Sequence, residues 1–143
     1  LALLAVAWPL AQLQALPRPQ AGARAATETA AAAWSEQALA DLRAQGRPVF
    51  VNMTADWCVS CKANEKAVFS SQRFRDALAA AHAVYMVGDY TDVDPAITAY
   101  LERYRAVGVP LYVVYPRDGG EGQVLPTLLT PGMVEEALRE AAR

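Results

Sequence analysis

The amino-acid sequence predicts a small α/β domain in which helices cover both faces of a central, mixed four-strand sheet. Short apolar runs typical of buried strands alternate with segments of helical periodicity. Their order, a helix-flanked β-α-β unit followed by α-β-β-α, fits a layered sandwich of sheet and helices. The 143 residues, 54% of them hydrophobic, are enough for one core, so we expect a single domain.

The first half of this domain is marked by residues that begin and end helices. Ser35 and Ser71 each stand directly before a helical pattern and can cap it, and Gly46 follows the end of the first pattern. The predicted elements are a helix from Ser35 to about Gln45, a buried strand over 48–54, a helix continuing over 62–69 and a helix over 72–81.

The second half is marked by proline and glycine. Asp94-Pro95 combines a capping residue with proline at the first helical position, and the glycine-rich stretch 118–122 predicts a turn between two strands. The predicted elements are a strand over 84–87, a helix over 95 to about 105, strands over 111–115 and 123–128, and a helix over 132–142.

The residues before the domain differ from it in composition. Residues 1–16 are apolar and uncharged but shorter than the ~20 residues of a full membrane span, so we expect them to be the end of a transmembrane helix. A soluble amphipathic helix is the alternative. Residues 17–33, which open with proline and glycine and continue Ala/Thr-rich, predict a flexible tether, and the domain is expected over 34–143.

The charge distribution argues against a nucleic-acid partner. The net charge is −2, and acidic and basic residues are interspersed. A nucleic-acid-binding domain usually carries a basic patch or stripe, which this chain lacks.

The most informative motif is Cys58-Val59-Ser60-Cys61, which contains the only two cysteines of the chain. Spacing of i, i+3 at the start of a helix brings both sulfurs to one end, close enough to form a disulfide. The first sulfur then lies at the positive end of the helix dipole, which favours thiolate over thiol. Because a thiolate is what attacks a disulfide, the motif predicts thiol–disulfide exchange.

Three other interpretations of the cysteines are weaker. A structural zinc site needs four ligands, and beyond the cysteines the chain offers one histidine, His82. A purely structural disulfide across three positions closes too short a loop to stabilise the fold much. Haem attachment needs histidine directly after the second cysteine, where Lys62 stands.

The segment PVFVNMTADWCVSCKANE, residues 48–65, together with Gly108-Val109-Pro110 before a strand and the terminal strand-strand-helix, resembles the thioredoxin fold. The resemblance is greatest to the C-terminal periplasmic domain of the DsbD family of bacterial transmembrane disulfide reductases, and it covers residues 34–143. A membrane segment and tether upstream also fit that family.

The resemblance implies roles for five residues. Cys58 corresponds to an exposed nucleophile and Cys61 to a buried resolving cysteine. Trp57 corresponds to the tryptophan that flanks the site, although an ordinary core aromatic is the alternative. Pro110 corresponds to the family's cis-proline, and Val109 before it is expected to face the disulfide and to offer backbone groups to an extended partner segment.

The chain departs from the family at Asn52, where thioredoxin-like reductases commonly carry a buried aspartate. An amide cannot accept a proton at neutral pH, so another group has to serve Cys61. Glu65, one helical turn beyond Cys61, matches a glutamate of the DsbD domain and is the candidate, with a solvated surface glutamate as the alternative. Asp56 is nearer in sequence, but its charge could simply raise the pKa of Cys58.

The function that the resemblance implies is a reductant relay that requires no cofactor. Electrons pass from an upstream membrane-embedded dithiol domain through Cys58 and Cys61 to periplasmic thioredoxin-like or other disulfide-carrying proteins. The domain is expected to face the periplasm from the bacterial inner membrane and, when isolated, to be a monomer. Val59-Ser60 adds neither a cation nor the histidine expected of a strong oxidant, which favours a reductase over an oxidase. The alternatives are a membrane-tethered oxidase or isomerase, or a non-redox binding module with a structural disulfide.

Overall fold

The structure is a computed structural model that describes residues 31–143; the predicted membrane segment and most of the predicted tether lie outside this range. It contains one mixed five-stranded sheet in the order β1-β3-β2-β4-β5. The first three of these are mutually parallel, and the other two run antiparallel to their neighbours. The strands are β1 (Ala32–Ala33), β2 (Val49–Thr54), β3 (Val84–Asp89), β4 (Leu111–Tyr115) and β5 (Gln123–Val124).

Five α-helices flank the sheet, and the three predicted capping residues are confirmed. The side chains of Ser35, Ser71 and Asp94 each accept a hydrogen bond from a backbone N–H in the first turn of the helix that follows. The helices are α1 (Glu36–Ala44), α2 (Val59–Asn64), α3 (Gln72–Ala81), α4 (Pro95–Arg103) and α5 (Pro131–Ala141). No helix within residues 31–143 is long and apolar enough to cross a membrane.

Strand β2 is the centre of the molecule, and every one of its residues is buried. Successive side chains of a strand point to opposite faces, so β2 contributes to two cores. Phe50 packs with an aromatic cluster under α3 and α5, whereas Val51 and Met53 pack on the other face against α1 and α4. The aromatic cluster comprises Phe50, Phe69, Phe74, Tyr85 and Tyr112.

The helix predicted to continue through residue 69 changes its winding at Glu65. Residues Glu65–Phe69 form a π-helical turn, and the Ser70 N–H donates to the Glu65 carbonyl at 2.9 Å. The wider turn brings two consecutive side chains, Val68 and Phe69, into the core. The segment is helical as predicted, with a π-helical second half.

Two further predictions at the sheet edges need correction. Ala32 and Ala33, which the sequence assigns to the tether, form strand β1 and make the sheet five-stranded. The N–H of the adjoining Trp34 donates to the Val87 carbonyl at 2.9 Å. The domain therefore begins before residue 34. The strand predicted over 123–128 ends at Val124, because Pro126 has no N–H to donate to a neighbouring strand.

Candidate active site

The candidate site begins where the central strand ends. β2 stops at Thr54, and a short turn through Ala55 leads to Cys58, whose N–H donates to the Ala55 carbonyl at 3.2 Å. Cys58 is the N-cap of α2. The motif is therefore held between a fully buried strand and the first turn of a helix.

Cys58 and Cys61 form a disulfide with their Cα atoms 5.2 Å apart. The Cys58 Sγ accepts a hydrogen bond from the Cys61 N–H at 3.2 Å, so it occupies the capping position of α2. Unpaired N–H groups and the helix dipole at this end favour a negative charge on that sulfur.

The two cysteines are less different in exposure than the resemblance implied. Cys58 is 6% exposed and Cys61 is 1% exposed. The order agrees with the expectation, but the description of Cys58 as exposed is corrected to slightly accessible. The reason is packing across the chain, since Ala55 and Val109 cover both cysteines.

Val109 lies at the disulfide, and Pro110 follows it in the chain. The Val109–Pro110 peptide bond is cis, and Val109 packs against Cys58 and Cys61. Pro110 directly precedes β4, which pairs antiparallel with β2. The sheet therefore brings residues about 50 positions apart in sequence to one place.

Trp57 is a rim residue rather than a core aromatic. Its side chain is 60% exposed, and its indole Nε1–H donates to the Thr91 carbonyl at 3.2 Å. The neighbouring Asp56 N–H donates to the Thr91 Oγ1 at 2.9 Å. These two bonds fasten the turn before Cys58 to the segment that follows β3.

Glu65 lies one turn beyond Cys61 and contacts groups on both sides of the site. One carboxylate oxygen accepts from the Thr54 Oγ1 at 3.3 Å, and the other lies 3.4 Å from the Lys62 Nζ. Lys62 also lies 3.5 Å from the Asp56 Oδ1. Glu65, followed by Asp56, raises the pKa of Lys62, which stays a cation at neutral pH.

Asn52 is buried on the face of β2 that carries α2, and it bonds a buried phenol. Its Nδ2 donates to the Tyr85 hydroxyl at 2.9 Å, while its Oδ1 has no hydrogen-bond partner within residues 31–143. Burial raises the pKa of Tyr85, and the nearby charge of Glu65 adds to this shift. Tyr85 therefore remains protonated at neutral pH.

Sequence reasoning missed Asn64, a buried residue three positions after Cys61. Its Nδ2 donates to the Tyr112 hydroxyl and to the Thr127 carbonyl, both at 2.8 Å, and its Oδ1 accepts from the Leu129 N–H at 3.1 Å. A polar residue at i+3 from Cys61, on the buried face of the helix, was the signal that could have identified it.

A family model described as Thioredoxin-like matches residues 30–116, more than half of the chain. The chain belongs to the thioredoxin-like family. The match covers the cysteine motif and the cis-proline and ends before β5 and α5.

Curated relatives carry the name thiol:disulfide interchange protein DsbD. The protein from Pseudoalteromonas atlantica is 38% identical over 86 residues, which are 60% of this chain and 14% of that protein. DsbD 1 from Pseudomonas aeruginosa is 32% identical over 111 residues, which are 76% of this chain and 18% of that protein. The chain thus spans less than a fifth of the length of these relatives.

Solved structures of the DsbD C-terminal domain from Neisseria meningitidis share the fold of this thioredoxin-like chain. The oxidised form superposes with a TM-score of 0.61 at 23% identity, covering 77% of this chain and 99% of that one. The reduced form gives 0.59, covering 76% and 98%. The mixed sheet flanked by helices is therefore confirmed, with five strands in place of four.

Proposed function

We propose that this domain carries out thiol–disulfide exchange through Cys58 and Cys61. The observation that supports it most is the disulfide at the N-terminus of α2, with the Cys58 sulfur in the capping position and cis-Pro110 beside it. Its similarity to proteins named thiol:disulfide interchange protein supports the same chemistry.

The reaction proceeds in two displacements. In the reduced domain, the Cys58 thiolate attacks one sulfur of a partner disulfide, forming a mixed disulfide and releasing one partner thiolate. Cys61 then loses its proton and attacks the Cys58 sulfur, which releases the second partner thiolate and restores the Cys58–Cys61 disulfide. Two electrons pass to the partner. The same two steps in reverse, with a donor dithiol, reduce the Cys58–Cys61 disulfide again.

We assign Glu65 as the group that accepts the proton of Cys61. Its carboxylate lies one turn beyond Cys61 and bonds to Thr54 at the end of β2. Asn52 bonds Tyr85 and supplies no charge. Both Asp56 and Glu65 lie close to Lys62, but the Asp56 side chain is 77% exposed and the Glu65 side chain 36%. Trp57, Val109 and Pro110 form the surface against which a partner segment lies.

The partners and the location follow from the similarity to DsbD proteins. We assign an upstream membrane-embedded dithiol domain as electron donor and periplasmic disulfide-carrying proteins as acceptors. In this arrangement the domain faces the periplasm from the bacterial inner membrane.

A trapping experiment tests the exchange chemistry. Without its resolving thiol, a Cys61→Ser variant should accumulate a mixed disulfide through Cys58 with a disulfide-containing peptide, visible as a gel shift reversed by dithiothreitol. Cys58→Ser should trap far less, because the Cys61 sulfur is the more buried one. Equal trapping by both variants would contradict the assigned roles.

The burial of both sulfurs favours one second candidate, a binding module in which the disulfide is structural. That candidate predicts no trapping by either variant and no reduction by thioredoxin-like donors.

The reduction potential of the disulfide distinguishes a reductase from an oxidase. We expect about −270 mV, close to thioredoxin, since Val59-Ser60 adds no charge that stabilises the thiolate. A potential near about −120 mV would favour an oxidase.

A further inference from the structure

Apolar side chains are exposed around the candidate site. Trp57 is 60% exposed and Val59 is 84% exposed, and they flank Cys58 on either side in sequence. Val107 is also exposed, two residues before Val109, which packs on the disulfide. Exposed apolar groups gathered around a reactive pair are suited to contact with another protein.

An acidic segment adjoins this apolar rim. Residues 89–94 begin at the last residue of β3 and are fastened to the site, since the Tyr90 N–H donates to the Thr54 carbonyl at 2.7 Å and Thr91 accepts from Trp57 and from the Asp56 N–H. The segment carries Asp89, Asp92 and Asp94, all exposed, together with the exposed Val93.

Five carboxylates lie in the segments around the candidate site. Lys62 forms ion pairs with two of them, Asp56 and Glu65. These five carboxylates and Lys62 carry a net charge of −4, whereas the whole chain has −2, so the remaining residues are net positive by two charges. The carboxylates of the face are Asp56, Glu65, Asp89, Asp92 and Asp94.

We propose that this acidic face, on the exchange function proposed above, selects partner proteins whose reactive cysteines are flanked by lysine or arginine. The apolar rim supplies contact area, and the carboxylates steer and orient a basic partner during encounter. A second copy of this chain would place the same carboxylates against each other, which disfavours self-docking.

The local bonds of the acidic segment support a role toward a partner rather than toward a metal ion. Asp94 caps α4 by accepting from the Ala96 N–H, and Asp89 accepts from the Thr91 N–H. The bonds from Thr91 lower the pKa of Asp89, so its charge persists at neutral pH. Asp89 and Asp94 are thus held in place by hydrogen bonds within the segment.

Model peptides of opposite charge test the proposal with the reduced protein. Three peptides carry one cysteine as a mixed disulfide with thionitrobenzoate, flanked by lysines, glutamates or glutamines. Attack by Cys58 on the peptide sulfur forms a new mixed disulfide and releases coloured thionitrobenzoate. At low salt the lysine peptide should react about tenfold faster than the glutamate peptide, falling to about twofold or less at 0.5 M salt.

Two charge-matched variants separate the acidic face from the net charge of the protein. Asp92→Lys should reduce the lysine-to-glutamate rate ratio at least about threefold at low salt. Glu140→Lys changes the net charge equally but lies at the opposite end of the sheet, because Arg117, which follows β4, bonds the Ala141 carbonyl. It should leave the ratio nearly unchanged.

Equal rates for the lysine and glutamate peptides, or equal effects of the two variants, would overturn the proposal while the exchange function stands. If the glutamine peptide also fails to react, the proposed function itself is wrong.

Discussion

At the scale of single residues, Glu65 is the group on which proton transfer depends in this site. We expect Glu65→Gln to slow resolution of the mixed disulfide by at least about tenfold, because the amide cannot accept the proton of Cys61. The first attack by Cys58 should change less. Single-turnover rates of the two steps measure this, with Glu140→Gln as a remote control. An unchanged rate of resolution would show that Glu65 has no role in the transfer and that water accepts the proton of Cys61 instead.

The chemistry of the site could be predicted because its residues are close in sequence. Cys58 and Cys61 are three residues apart at the start of a helix, and Glu65 follows one helical turn later. The local geometry of the helix places these three residues at the same end of the site. The exposure of Cys58 could not be predicted, since Val109 covers it from a distant part of the chain. Such coverage depends on how the strands pair, which a local pattern does not contain.

At the scale of elements, Asn64 joins α2 to the segment that leads into α5. Replacing it by alanine leaves the Thr127 carbonyl, the Leu129 N–H and the Tyr112 hydroxyl without this partner. Unpaired buried polar groups are destabilising, so we expect Asn64→Ala to lower the free energy of unfolding by about 2–4 kcal/mol. Denaturant unfolding measures this loss, with the exposed Lys66→Ala as control. A loss of less than about 0.5 kcal/mol, the size of an ordinary surface substitution, would contradict the role.

The elements that the sequence predicts well are those with strong local signals. Ser35 and Ser71 each cap a helix through one side-chain hydrogen bond and Asp94 through two, and all three are confirmed. Ala32–Ala33 has neither alternation nor β-branched residues, so its pairing with β3 depends on the available sheet edge. The π turn at Glu65 has no local signal either, because it follows from packing Val68 and Phe69 together.

At the scale of the whole molecule, four tyrosines within the two cores make stability sensitive to alkaline pH. Burial raises the pKa of each, so their neutral forms are favoured in the native state. Their contribution is complete below about pH 10, the ordinary tyrosine pKa, and is lost as the pH rises toward the higher native pKa values. The tyrosines concerned are Tyr85, Tyr100, Tyr112 and Tyr115.

The free energy of unfolding should therefore fall steeply above pH 10, by up to ~1.4 kcal/mol per pH unit for each such tyrosine. Denaturant unfolding between pH 8 and pH 11.5, followed by circular dichroism, measures the slope. Constant stability across this range would mean that the phenols ionise as readily in the native state as in the unfolded one.

The extent of the folded unit gives the last prediction. Trp34 packs on Tyr100 with ring centroids 5.0 Å apart, and its N–H extends the pairing of β1 with β3. A chain beginning at residue 31 should keep these contacts and unfold cooperatively. A chain beginning at residue 35 should be less stable by about 2–4 kcal/mol, since it loses the burial of an aromatic side chain and a strand. Trp34→Ala in the longer chain separates the two contributions. If both chains unfold at the same denaturant concentration, β1 adds nothing to the fold, and the predicted tether extends to residue 33 after all.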